Sequence, residues 1–480
     1  MRAPPVTIEV FEELALREPR EPAFWEDGTA FDRAQFYAMV VQCSLLMRRL
    51  GVRRGDRLAV SGPGMGIQLV VLLAAEGLGA VTASFQAEAD PDAEFLFTQV
   101  QWVFSARDQV LPPGVRFQRL DDAFVQQLAQ PLGAERPTWT PAEWHEPQRI
   151  TRTSGSSGRS KFMLLSRGVQ EQWVAMGAEK NTYQPGTRLL VQGPLVMNAA
   201  FSRSSACLRR GGMVLAPCSG AQLPQLQPTH IWGLPLQLDN LMREVPPGYI
   251  APKPVLVAIV GGALPPALRD AAARAFRGWV KNRYGSNEAG GICEDLDASG
   301  TGYLGPGVEV RILGPQGEDL PEGQAGIIAV RTAAIVDGYL ERPEETARAF
   351  RDGWFVSSDY GVLVGYRKLR LLGRADDLVN VGGIKLPAAD LEAALKKQPA
   401  IADCAVQAVH LDDGAVSLGV ALVCAPGHAR EDATAQLREA LAAFSTMRVR
   451  VVFVAAVPTT ATGKVDRMAL LRLLREQPAP

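Results

Sequence analysis

Nine consecutive residues, Thr153-Ser154-Gly155-Ser156-Ser157-Gly158-Arg159-Ser160-Lys161, combine two glycines, a row of hydroxyls and two cations. Glycine lets a backbone turn tightly and bring N–H groups close to an anion, while Ser and Thr add donors and Arg159 and Lys161 add charge. Such a loop suits phosphate. The spacing is not that of G-x-x-x-x-G-K-[ST], and no G-x-G-x-x-G follows a strand, so neither the triphosphatase loop nor the dinucleotide fingerprint is indicated. On composition alone, a Ser/Gly-rich stretch reads as a flexible linker.

Four further segments decide against the linker: Asn282-Arg283-Tyr284-Gly285-Ser286-Asn287-Glu288, Gly353-Trp354-Phe355-Val356-Ser357-Ser358-Asp359, Gly373-Arg374-Ala375-Asp376-Asp377 and Thr462-Gly463-Lys464-Val465-Asp466-Arg467. In this order and at these separations, the set resembles the adenylate-forming superfamily of acyl- and aryl-CoA ligases, peptide-synthetase adenylation domains and luciferases. The resemblance runs over residues 11–473. It implies a carboxylate and ATP reacting to acyl-adenylate and pyrophosphate, followed by attack of a thiol. It also implies Mg2+ with the ATP, and either coenzyme A or the phosphopantetheine arm of a free-standing carrier protein as acceptor.

A carboxylate is a poor electrophile, and joining it to a phosphate brings two anions together, so the enzyme must supply positive charge. The resemblance puts Thr153, Ser154, Gly155, Ser156, Ser157, Gly158 and Lys161 around the β- and γ-phosphates. It puts Lys464 beside the reacting carboxylate and α-phosphate. Tyr284 and Gly285 would face adenine, and Glu288 would hold magnesium, a hard cation that prefers oxygen ligands. Asp359 would accept both ribose hydroxyls through its two oxygens, with Arg374 adding a ribose or phosphate contact. Asn287, Ser358 and Ser160 stand where the family usually has threonine, glycine and proline, and are read as tolerated variation. An inactive relative would be expected to lose Glu288 or Lys464, and both are present.

Asp376 matches the family hinge, about which a small C-terminal domain rotates so that each half-reaction has its own electrostatics. Val381-Gly382-Gly383-Ile384-Lys385 follows, and Gly382 and Gly383 would let a pantetheine arm approach the backbone. The resemblance also puts the acid pocket on Val196-Met197-Asn198-Ala199-Ala200-Phe201-Ser202, on Trp232-Gly233-Leu234-Pro235, on Gly261-Gly262-Ala263 and on Ser286. Peptide-synthetase domains commonly place an aspartate near Asn198 to pair with an ammonium, and a neutral amide cannot do so. Asparagine there, with Phe201 and Trp232 lining a flat slot, favours an aryl or other non-amino acid. Met197, Phe201 and Trp232 also fit a plain core role, and His230 reads as structural. The alternatives are a stand-alone amino-acid adenylating enzyme, a relative using oxygen or an amine as acceptor, and a nucleotide-binding relative without chemistry.

The rest of the chain must position these residues. Its 480 residues, 47% hydrophobic, are enough for more than one core, and a net charge of -1 gives no general attraction to nucleic acid or anionic membrane. Six scattered cysteines without a C-x-x-C pair argue against a disulfide framework or zinc site. No apolar signal core opens the chain and no apolar run reaches the roughly 20 residues of a membrane span, so a cytoplasmic location is expected. No carrier motif follows Lys464, and a short basic, proline-containing tail is expected to end the chain.

Strand-like runs alternate with helical patterns: strand 57–61, helix 66–77, strand 80–84, and strand 255–260 before a helix opened by Pro265-Pro266. The expected fold is therefore α/β, with a large N-terminal ATP- and acid-binding domain over residues 1–375. A small mobile α+β domain over 376–480 would hold helix 388–397, strands 405–409 and 416–423, helix 431–443 and strand 449–454.

Overall fold

The computed structural model describes residues 4–88, 90–153, 160–177, 182–374, 378–381, 384–410, 416–441, 449–460 and 465–476. Two sheets dominate the N-terminal part. In the larger, the strands Pro22–Glu26, Met213–Leu215, Arg188–Val191, His230–Gly233, Leu256–Val260 and Val280–Ser286 lie side by side in that order, all parallel. Beyond Val280–Ser286 the same sheet becomes antiparallel, through Gly290–Glu294, Thr301–Leu304, Lys368–Arg374, Trp354–Leu363, Ala325–Arg331 and Glu309–Leu313.

The change of direction occurs within one strand. Val280 to Arg283 pair in parallel with the neighbour on one side, and Tyr284 to Ser286 pair antiparallel on the other, with a bulge between Tyr284 and Gly285. A Cβ on Gly285 would lie 2.5 Å from the Gly290 carbonyl oxygen, so only glycine lets the chain double back here. Ligands of α/β sheets gather outside the carboxyl ends of parallel strands where the topology switches.

The second sheet runs Arg116–Arg119, Trp102–Ser105, Arg57–Ser61, Val81–Ser84, Pro147–Thr153, Lys161–Ser166, with the last pair antiparallel. Between the sheets lies the helix Met65–Gly77, buried along nearly its whole length, as its apolar composition on every face requires. The helix Asn198–Arg209 shares that core but carries polar residues into it: Asn198, Ser202, Ser204 and Ser205 are all buried.

The C-terminal part is α+β as expected. The strands Ile401–His410, Val416–Cys424 and Val449–Phe453 form one sheet, packed by the helices Ala388–Leu395 and Arg430–Ala440. One expectation fails. The segment expected as a tail contains the helix Arg467–Glu476, whose Leu470 and Leu474 are fully buried against Ala405, Val409 and Val452. Burying an apolar stripe outweighs the charges on its other face. All six cysteines are free thiols. Among the described residues no helix is long and apolar enough to cross a membrane.

Candidate active site

The hairpin Pro147–Thr153/Lys161–Ser166 brings Thr153 opposite Lys161. Residues 154–159 between them, hence Ser154, Gly155, Ser156, Ser157 and Gly158, lie outside the described residues. Both flanks of the hairpin are braced by two acids the sequence reading missed. The Arg152 guanidinium lies 2.5 Å from Asp90 Oδ1 and 3.5 Å from Asp92 Oδ2, and the Ser160 N–H donates to Asp92 Oδ1 at 3.3 Å. Asn287 adds a tie from the strand switch, its Nδ2 donating to the Arg152 carbonyl at 2.7 Å. Asn287, which stands where the family usually has threonine, therefore joins this hairpin to the Tyr284–Glu288 turn.

Lys161 Nζ sits 3.0 Å from Glu345 Oε2 and 4.8 Å from the centre of the Tyr339 ring. Tyr339 in turn donates from its hydroxyl to Glu288 Oε1 at 3.0 Å. Glu288 is buried, and burial raises its carboxyl above the ordinary value, against the lowering effects of hydrogen bonding and the Lys161 charge. A cation would relieve that penalty. Among the described residues no cluster of three His, Cys, Asp or Glu side chains could hold a metal alone. One buried carboxylate with nucleotide phosphates is the donor set that magnesium commonly takes, so the residues fit the ion.

The third element is the strand Trp354–Leu363. Tyr284 donates its hydroxyl to Asp359 Oδ2 at 2.5 Å, and burial with the Asp359 charge raises the phenol well above its ordinary pKa. Asp359 is fixed from behind: its N–H donates to Ser357 Oγ at 3.0 Å, and Ser357 Oγ donates to the Ile328 carbonyl at 2.8 Å. Ser358 points to solvent, so a hydroxymethyl in place of hydrogen is accommodated there. Arg374 is the cross-strand partner of Asp359. Tyr284, Glu288, Asp359 and Lys161 thus come together at the switch strand and the hairpin beside it. Asp376, Gly382, Gly383 and Lys464 lie outside the described residues.

Around the residues expected to line the acid pocket the geometry differs in kind. Asn198 begins the helix Asn198–Arg209, is 0% exposed, and neither its Oδ1 nor its Nδ2 has a hydrogen-bond partner. Trp232 is 1% exposed and its Nε1 is likewise unpartnered. Its ring presses on Gly193, where a Cβ would come within 2.7 Å. Gly261 takes a left-handed φ of 81°, and Gly262 and Ala263 are exposed beside it. Ser286 Oγ accepts from the Ala289 N–H at 3.2 Å and so caps the turn.

Phe201 is fully buried, and over its ring, 4.2 Å from the centre, lies the guanidinium of Arg149. Arg149 went unnoticed in the sequence, although two arginines within Gln148-Arg149-Ile150-Thr151-Arg152 are unusual cargo for an inner strand. His230 is structural as expected: its Nδ1 is 2.9 Å from Thr229 Oγ1, its ring meets Tyr183 edge-on, and burial lowers its pKa.

A sequence model of the AMP-binding enzyme family matches residues 11–340, and that of the AMP-binding enzyme C-terminal domain matches residues 390–464. The chain belongs to the AMP-binding enzyme family. Among similar proteins, a feruloyl-CoA synthase from an Amycolatopsis species is 28% identical, over 94% of this chain and 95% of that protein. A 3-hydroxybenzoate–CoA ligase from Aromatoleum sp. (strain CIB) is 26% identical, over 95% of this chain and 94% of its own length. In fold, ATP-bound MatB from Rhodopseudomonas palustris superposes with a TM-score of 0.83 at 21% identity, covering 98% of this chain and 99% of the other. This AMP-binding enzyme is thus an adenylate-forming ligase, as its motifs implied.

Proposed function

We propose that the enzyme activates an aryl carboxylic acid as its acyl-adenylate, releasing pyrophosphate, and then transfers the acyl group to a pantetheine thiol, with CoA the favoured acceptor. The observation that carries the acid class is Asn198: a buried neutral amide with a free donor and a free acceptor suits a ring substituent, whereas an ammonium would meet no charge there. The names of the feruloyl-CoA and 3-hydroxybenzoate–CoA relatives support the same class and the CoA acceptor.

In this reading Lys161 and residues 153–158 bind the β- and γ-phosphates, with Glu345 released from Lys161 as they arrive. Asp359, oriented by Tyr284 and Ser357, takes the ribose, with Arg374 beside it. Glu288 holds magnesium, which when bound neutralises phosphate charge. Lys464, carried by residues 376–480 rotating at Asp376, offsets charge at the reacting carboxylate and then withdraws. Gly382 and Gly383 then leave room for the pantetheine arm.

The test is ATP–pyrophosphate exchange across benzoic, hydroxybenzoic, cinnamic, fatty and amino acids, repeated with Lys464→Ala. Exchange should appear with aryl acids and fall about 100- to 1,000-fold in the variant. Exchange confined to amino acids would sink the reading of Asn198.

A further inference from the structure

Arg149 is among the most buried charged groups in the molecule, 1% exposed on an inner strand of the second sheet. Its hydrogen-bond partners are all neutral: Nη1 donates to Thr82 Oγ1 at 3.2 Å, and Nη2 to Ser84 Oγ at 3.2 Å and to the Leu195 carbonyl at 3.1 Å. One face lies on Phe201, and Nε has no partner. A buried cation without a bonded anion is costly. Burial accordingly draws Arg149 down to about 9, with Glu76 the one opposing charge that acts on it from a distance.

The position of this cation is informative. Leu195 and Phe201, which Arg149 touches, bracket Asn198, and Phe201 lies one helical turn beyond it. Thr151, two residues along the same strand and on the same face as Arg149, has a buried hydroxyl without a partner. Among the molecule's unsatisfied buried donors, three lie by this segment: Arg149 Nε, Asn198 Nδ2 and, with its ring against Gly193, Trp232 Nε1. A buried polar atom left open calls for an explanation, and a ligand that completes it is the one argued for this segment.

We propose that Arg149 is a specificity-determining residue which, with Asn198, selects acids carrying a negatively polarised oxygen at the end remote from the reacting carboxylate. This rests on the reading that residues 196–202 line the acid pocket. The shared chemistry is an oxygen acceptor strengthened by a nearby cation, supplied either by a phenolic hydroxyl or by a second carboxylate. The hydroxyl can also donate to Asn198 Oδ1, which a second carboxylate cannot. An unsubstituted ring leaves the cation and the amide unmatched, the situation in which buried donors discriminate most strongly.

The experiment measures kcat/KM in ATP–pyrophosphate exchange for benzoate, 3- and 4-hydroxybenzoate, 4-methoxybenzoate and benzene-1,4-dicarboxylate, in the wild type, Arg149→Met, Arg149→Lys and Asn198→Ala. The wild type should prefer an oxygen-bearing acid over benzoate by about tenfold to a hundredfold. Arg149→Met should bring that ratio to within about threefold, and Arg149→Lys should retain part of it. A hydroxy acid ahead of the dicarboxylate identifies the phenolic source, and the reverse order identifies the second carboxylate. Uniform loss across all acids at an unchanged ratio overturns the proposal, since Arg149 would then only pack. Should Arg149→Met not fold, Arg149→Lys and Asn198→Ala carry the same test. Benzoate used as well as its substituted relatives overturns this inference alone, whereas exchange with no member of the series overturns the proposed function as well.

Discussion

The groups proposed to meet the nucleotide and those proposed to meet the acid treat their polar atoms differently. Around the switch strand the groups proposed to meet the nucleotide have internal partners, Lys161 with Glu345, Glu288 with Tyr339, Asp359 with Tyr284, and Asn287 with the Arg152 carbonyl, while Asn282 Oδ1 and Arg283 Nε on the strand itself stand open. Around residues 196–202 Ser202 accepts from Gln170 Nε2, but both ends of Asn198, the Trp232 N–H and Arg149 Nε stand open. A highly charged, mobile nucleotide calls for groups held in place before it arrives, with partners that can be exchanged for phosphate or ribose. A small acid recognised in a dry pocket calls for groups with no competing partner, whose desolvation has been borne in advance by the fold. On the proposed reading, one side serves geometry and the other discrimination.

That contrast is tested most severely at Glu288. Replacing it with Gln keeps the Tyr339 hydrogen bond but removes the charge, so exchange should fall about 100- to 1,000-fold. The loss should be the same for every acid, because the nucleotide side does not discriminate among them. Rates for an acid panel would check this, and an acid-dependent loss would break the division between the two sides.

The two sides also differed in how readily the sequence disclosed them. Tyr284, Glu288 and Asp359 sit in short local motifs whose spacing is dictated by one turn or one strand, so a linear reading finds them. Their supports come from afar: Asp90 and Asp92 reach Arg152 across some sixty positions, and Tyr339 reaches Glu288 across a separation of 51 residues. No local periodicity carries such pairs, since the register of a sheet and the packing of a loop create them. Asn198 and Trp232 were legible only as pocket candidates, whereas their open hydrogen-bonding atoms are a property of the packed core. The helix Arg467–Glu476 was legible and overlooked, for Leu470, Leu471 and Leu474 mark one helical face. The alternating strands and helices of the larger part needed only their period, and the expected strand 57–61 and helix 66–77 fall within a residue of the observed ones.

A second way to sharpen the comparison lies beneath the acid side. Glu76 is fully buried, accepts a hydrogen bond from Gln148 Nε2 on one oxygen, and has no partner on the other. Burial pushes its carboxyl from 4.5 up to about 7, and Glu171 adds to the rise while Arg209, Arg167 and Arg149 oppose it. The folded protein therefore keeps a proton that the unfolded chain loses near pH 4.5. Stability from this group is complete at lower pH and is lost as pH rises through about 7, by on the order of 3 kcal/mol. Urea unfolding between pH 5 and pH 8 should show that decline, and Glu76→Gln, neutral throughout, should flatten it. An unchanged slope in the variant would assign the pH dependence to other groups and remove Glu76 from the unmatched set.

The smallest effect is the most pointed, because its sign differs between the two sides. Removing one partner of a paired buried group leaves the other unsatisfied and costs stability, whereas replacing an already open polar group with an apolar one of similar volume removes a penalty. Asn198→Leu should accordingly raise the free energy of unfolding by about 1 kcal/mol, read as a higher urea midpoint at constant m-value. Tyr339→Phe, which removes the Tyr339 hydroxyl from Glu288, should lower it by a comparable amount. On the proposed reading, the gain at Asn198 should come with lost preference among acids and an unchanged KM for ATP, the amide trading stability for selectivity. If Asn198→Leu destabilises the enzyme instead, the amide has partners in solution, and its openness cannot be the source of discrimination.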